Sequence, residues 1–244
     1  MHERTIEIAT ADGRMPTFVS YPEDTGRHPA VVLYMDAPGI REELKGMARR
    51  IGTVGYYVLL PNLFYRDGGP SFDPALLATE GPDPEMMRLN LALSHAQVLA
   101  DTRALLDFLG AQPAASRGAM AAVGWCMGGR HALAAAGTFP DRIKAMASLH
   151  GGHQVTQRPD SAHLLIPRIE AECYFAFAAD DPLAPPEHQQ VIAEALARHD
   201  IPHLLEVHPG TLHGFTFPER HCYHQAAAER VWERLFALFH RRLG

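Results

Sequence analysis

Met120-Ala121-Ala122-Val123-Gly124-Trp125-Cys126-Met127-Gly128-Gly129 is the stretch on which the reading of this chain turns. Met120 to Trp125 is a run of apolar and small residues that suits a strand buried on both faces. The Ala-rich segment from about Met127 to Thr138 suits a helix. A reactive side chain between such a strand and helix sits on a tight, strained turn, and that turn demands small residues two positions to either side. Gly124 and Gly128 meet that demand, Gly129 lets the helix approach the sheet, and Cys126 stands at the nucleophile position. The positive end of the following helix also favours thiolate over thiol. A structural cysteine beside chance glycines would need neither the strand before it nor the helix after it.

The same alternation extends outward. Two short strands, Thr5 to Ala9 and Met15 to Tyr21, flank a turn at Asp12-Gly13. Apolar runs at Ala30 to Met35 and Tyr56 to Leu60 predict buried strands, with a helix over Glu42 to Ile51 between them. Asp67 to Pro84 is rich in Gly, Pro and Asp and predicts a long loop. One long helix is expected next, with Leu91, Val98, Leu105 and Leu109 on one face. Strands then follow at Ile143 to Leu149, Cys173 to Ala178 and Leu204 to His208, and a helix at Val191 to Arg198. A last helix turns Val231, Leu235, Leu238 and Phe239 inward. Strands regularly separated by helices predict an α/β architecture with a mostly parallel central sheet and helices on both faces. With no repeat and no linker, residues 1–244 read as a single domain.

The bulk composition excludes several classes. A net charge of −6 without a basic run gives no footprint for nucleic acid. No stretch reaches the roughly 20 apolar residues of a membrane span, and the first residues lack the apolar core of a signal peptide. Cys126, Cys173 and Cys222 cannot all pair with one another, so a reducing, cytoplasmic compartment is expected.

In open α/β sheets, ligands bind at the carboxyl ends of strands. Beyond the Cys126 turn, three such ends carry chemistry. Asp180-Asp181-Pro182 offers a carboxylate to orient a histidine; neighbouring side chains point in different directions, so one of the two aspartates is expected to serve, and local physics does not choose. His213, on the segment Pro209 to Phe215 after the strand ending at His208, can reach across to Cys126. The order Cys126, acid, His213 is the nucleophile–acid–histidine order of α/β-hydrolases. Backbone N–H groups of Met35-Asp36-Ala37-Pro38-Gly39, with that of Met127, would form an oxyanion hole.

These stretches, with Gly55 to Pro61, Asp181 to Pro185 and His213-Gly214-Phe215, resemble the dienelactone hydrolase family over nearly the whole chain. The resemblance implies an α/β-hydrolase fold and cleavage of an ester or lactone by Cys126, His213 and Asp181, the aspartate before a short proline-containing turn. It also implies Ala37 and Met127 as oxyanion donors, a small-molecule substrate and no cofactor. Asp36 stands where the family archetype has a glutamate that interacts with the nucleophilic cysteine, which makes it the candidate acid modulating Cys126. Phe217 stands where the archetype carries, four residues past its histidine, an arginine that holds the substrate carboxylate. A neutral or apolar acyl group is therefore expected, with Arg41, Arg66 and Arg88 as ordinary exposed arginines that could otherwise bring a cation.

Two other readings compete. His150-Gly151-Gly152-His153 and His221-Cys222-Tyr223-His224 have spacing a metal could use, but no HExxH or paired-cysteine motif accompanies them, and no metal site is expected. A non-catalytic module with Cys126 as an oxidisable thiol would not need an acid and a histidine in this order.

Overall fold

The computed structural model describes residues 1–78 and 81–244. Eight strands form one sheet: β1 (His2–Thr10), β2 (Gly13–Tyr21), β3 (Ala30–Tyr34), β4 (Tyr57–Pro61), β5 (Met120–Trp125), β6 (Ile143–Leu149), β7 (Glu172–Asp180) and β8 (His203–Leu212). Their spatial order is β1-β2-β4-β3-β5-β6-β7-β8. The pairs β1/β2 and β2/β4 are antiparallel; every later pair is parallel. Burial follows from that order. Every residue of β3, β4 and β5 is buried, as continuous apolar runs require. The edge strands β1 and β8 are largely exposed.

Helices cover both faces. α1 (Glu42–Thr53), α2 (Pro84–Ala92), α3 (His95–Gly110), α4 (Met127–Thr138), α5 (Pro186–Arg198) and α6 (Gln225–Leu243) follow in order. α3 packs on α4, which lies over β3, β5 and β6. α1 and α6 are tied together by Arg50, whose guanidinium pairs with Glu229 and sits 4.5 Å above the Trp232 ring. Val231, Leu235, Leu238 and Phe239 are buried beneath α6, as the periodicity requires. The result is a single α/β domain with the sheet as its middle layer.

Two expectations change. The long helix carrying Leu91 is two helices, because Leu93 is extended and Ser94 starts a new one. The Ser94 hydroxyl accepts from the Gln97 N–H while the Gln97 side chain accepts from the Ser94 N–H, a capping box that the sequence Ser94-His95-Ala96-Gln97 spells out. The break takes Leu91 off the buried face, leaving it 64% exposed while Val98, Leu105 and Leu109 are buried. The strand ending at His208 instead runs to Leu212, through Pro209. β8 has a neighbour on one side only, so a missing N–H is tolerated there. Of the Asp67 to Pro84 loop, Pro74–Ala78 is a short 3-10 turn, and Thr79 and Glu80 lie outside the described residues. Among the described residues, no helix is long and apolar enough to cross a membrane.

Candidate active site

The turn between β5 and α4 is built by close packing. A Cβ on Gly124 would run into the Gly128 carbonyl, and one on Gly128 would run into the Tyr34 carbonyl at the end of β3. Both positions must therefore be glycine, and the end of β3 is pulled against the start of α4. Cys126, between them, takes φ 52°, ψ −116°, a conformation that L-residues avoid and surrounding structure must enforce. Its backbone is held at both ends, the N–H donating to Leu149 O (3.1 Å) and the carbonyl accepting from Gly152 N–H (3.1 Å). Met127 is the first residue of α4, so its N–H has no partner within the helix. Ala37 lies in the turn after β3, which closes with a Gly39 N–H to Asp36 carbonyl bond of 3.1 Å.

His213 directly follows β8, and Asp181 directly follows β7. The ladder between these strands is irregular from Ala178 to Asp180, and there the two aspartates part. Asp180 is exposed; Asp181 is buried, its Oδ2 2.7 Å from His213 Nδ1 and its Oδ1 accepting from the Leu183 N–H at 2.9 Å. With Nδ1 engaged by the carboxylate, Nε2 is the ring nitrogen left for another partner. Nε2 is buried and makes no hydrogen bond of regular geometry among the described residues. Such bonds commonly tighten only when substrate binds.

The electrostatics favour an ion pair. Burial opposes the Cys126 thiolate, but the charge and hydrogen bonding of His213 and the Arg220 guanidinium outweigh it, and the thiol falls below its ordinary value; Asp36 acts in the opposite sense. Burial likewise opposes the His213 imidazolium, and the Cys126 thiolate with the Asp181 carboxylate outweighs it, raising the histidine. Both shifts run in the same sense, towards a thiolate beside an imidazolium. His150 packs edge-on against His213, 5.2 Å between ring centroids, and donates to or accepts from Thr216 Oγ1 at 2.8 Å. Burial and the nearby charges of His213 and Arg220 hold it neutral.

Asp36 is held by two arginines. Its fully buried carboxylate takes Arg41 through Nη1 (2.7 Å) and Nη2 (3.1 Å), and Arg220 through Nη2 (2.5 Å). Arg41 also pairs with Glu43. Two cations and two anions thus close a buried network, and removing one member would leave an uncompensated charge at a cost of about 3–5 kcal/mol. Arg41 is therefore not an ordinary exposed arginine. Arg66, largely buried, is tied to Asp12 and Asp101, whereas Arg88 is exposed and pairs with Glu85 and Asp67. Phe217 is fully buried, its ring 4.1 Å from the Arg220 guanidinium and 5.1 Å from that of Arg41. It stacks the network rather than facing open space. Arg220 escapes sequence reasoning because Thr216 to His221 has no periodicity and its partner, Asp36, lies 184 residues away.

Among the described residues, no three His, Cys, Asp or Glu side chains are grouped to hold a metal ion. His150 is engaged with Thr216 and His153 stands apart at φ 54° on the wall of a neighbouring cavity.

Comparison with known proteins places the fold. A Synechocystis sp. protein provisionally named carboxymethylenebutenolidase is 25% identical, covering 98% of this chain and 99% of its own. A crystal structure from Klebsiella pneumoniae, provisionally named a dienelactone hydrolase, superposes with a TM-score of 0.87 at 22% identity over 98% of both chains. A dienelactone hydrolase-like promiscuous phosphotriesterase from metagenomic libraries gives 0.81 at 24% identity, over 100% of this chain and 99% of that one. The family model for dienelactone hydrolases matches residues 15–243, which takes in the turn at Cys126 and both strand ends that flank it, so the chain is a hydrolase and belongs to the dienelactone hydrolase family.

Proposed function

We propose that the protein hydrolyses a small-molecule carboxylic ester or lactone with Cys126 as nucleophile, His213 as acid and base, and Asp181 as the group that orients His213. The observation carrying this reading is the 2.7 Å contact between Asp181 and His213 Nδ1, beside a thiol whose ionisation the same histidine favours.

The thiolate attacks the carbonyl carbon, and the displaced electron pair settles on oxygen within reach of the Ala37 and Met127 N–H groups. Each such donor is worth on the order of 10²–10³ in rate. Collapse of the adduct breaks the C–O bond, and the leaving oxygen takes the proton from His213 Nε2. Water then gives a proton to Nε2 and attacks the acyl-thioester. The second adduct collapses to the carboxylic acid and restores the Cys126–His213 pair. A lactone releases both ends as one hydroxy acid. The name of the Synechocystis relative points the same way for the lactone class. Free cysteines suit a reducing compartment, and we place this activity in the cytoplasm.

Intact-mass measurement after brief mixing with an activated aryl ester tests the reading. An acyl group on the Cys126 peptide, lost in Cys126→Ala protein together with turnover, is the expected result. Acylation confined to Cys173 or Cys222, with turnover intact in Cys126→Ala, would overturn it.

A further inference from the structure

Four residues past the nucleophile, one helical turn along α4, stands Arg130. It is only 8% exposed. Among the described residues its partners are both on Asn90: Nη2 donates to the Asn90 carbonyl and to its side-chain oxygen, each at 2.8 Å. Among the described residues no carboxylate lies within ion-pairing distance of it, whereas Arg41 and Arg220 are matched by Asp36 and Glu43. A buried cation with neutral partners alone is costly, and burial draws Arg130 down to about 10.

A cavity of about 120 Å³ lies beside it, with Asn90, Ser94, His95, Arg130, His153 and Ser161 in its wall. The cavity wall is tied to the Cys126 turn through His153, and the Cys126 charge reaches the Arg130 guanidinium. His153 follows Gly152, whose N–H holds the Cys126 carbonyl and whose Cβ position lies 3.8 Å from His213 Cε1. The charge around the cavity sums to one positive unit. Arg158 at its rim is paired with Asp160 at 2.9 Å, and burial with the Arg130 charge holds His95 near 4, hence neutral.

We infer that this cavity is an anion subsite in which Arg130 takes a single carboxylate on the acyl part of the substrate. The assignment rests on Cys126 being the nucleophile. One net positive charge matches a monoanion better than a dianionic phosphate. Arg130 stands one helical turn, a rise of about 5.4 Å, beyond Cys126 on α4, so a short acyl chain ending in a carboxylate is the probe of this subsite. The subsite differs in position from the place after His213 that Phe217 fills, and it reverses the expectation of a neutral acyl group.

Two aryl esters of equal length read the subsite, mono-4-nitrophenyl glutarate and 4-nitrophenyl pentanoate. The ratio of their kcat/KM values should favour the glutarate in the native enzyme and fall about tenfold or more in Arg130→Gln. Asn90→Asp is the sharper variant. It keeps the hydrogen-bond acceptor that ties α2 to α4 but supplies Arg130 with a resident carboxylate, so a merely structural role survives while the subsite is quenched. Arg130→Lys should retain part of the preference. An unchanged ratio in Arg130→Gln and Asn90→Asp, with melting temperatures showing both folded, overturns the subsite. Calorimetric binding of monomethyl glutarate to Cys126→Ala protein separates this inference from the mechanism. Binding weakened by both variants supports the subsite, and binding indifferent to both overturns it. Turnover surviving in Cys126→Ala overturns the nucleophile alone.

Discussion

Cys126 and Cys173 lie two strands apart in the same sheet, both within the core, yet their surroundings drive them in opposite directions. Cys126 ends β5 at the carboxyl edge, where His213 and Arg220 offset the cost of burying a thiolate. Cys173 begins β7 at the opposite edge, where its Sγ finds only the Ala171 carbonyl at 3.6 Å. Burial there, reinforced by the Glu172 charge, pushes the thiol far up. Cys222 falls between them, half-buried beside the His213 carbonyl and raised by burial. Burial alone therefore does not set the direction in which a thiol is shifted. The decision lies in which charges converge on it, and in a parallel sheet they converge where loops leave the carboxyl ends.

The comparison breaks most severely if Cys126 can be dispensed with. Cys126→Ala should cost on the order of 10⁴ or more in kcat, and Cys173→Ala almost nothing, as steady-state assays on an activated ester would show. Equal losses would mean that the two cysteines differ in name only. Next in size is the support behind His213. Asp181→Asn should lower kcat by on the order of 10⁴, because the imidazole loses its tautomer, while the exposed Asp180 should tolerate the same change within a few-fold. A larger loss at Asp180 would transfer the role there.

The charge argument can be sharpened through pH. Arg220 lowers the Cys126 pKa, so Arg220→Gln should raise it and move the acidic limb of the kcat/KM profile to higher pH. The expected loss is about tenfold at pH 6 and shrinks as pH rises. A uniform loss across pH would mean that Arg220 acts only by packing on Phe217. Smallest of all, Cys173→Ala removes one buried sulfur and should destabilise by about 1 kcal/mol, measured by denaturant titration, with pH–rate behaviour unchanged. Iodoacetamide at neutral pH should label Cys126 first, Cys222 slowly, and Cys173 only after unfolding.

The sequence by itself determined the features set by short-range pattern. Apolar runs separated by helical periodicity specify the parallel sheet, because a strand buried on both faces has no polar alternation to display. Gly124, Cys126 and Gly128 specify the strained turn, because no larger residue fits two positions from Cys126. His213 was legible from its place in chain order. Even the break at Ser94 was written locally, in a capping box that a search for one apolar face passes over. Tertiary structure decided what depends on meeting partners from distant segments. Asp181 rather than Asp180 faces His213 because the β7/β8 ladder slips there, and no neighbour in sequence announces a slip. Asp36 is committed to two arginines because Arg220 arrives from the far end of the chain. Among the described residues Arg130 has no carboxylate partner for the same reason: whether a buried charge is matched is a property of the space around it, which residue order does not encode.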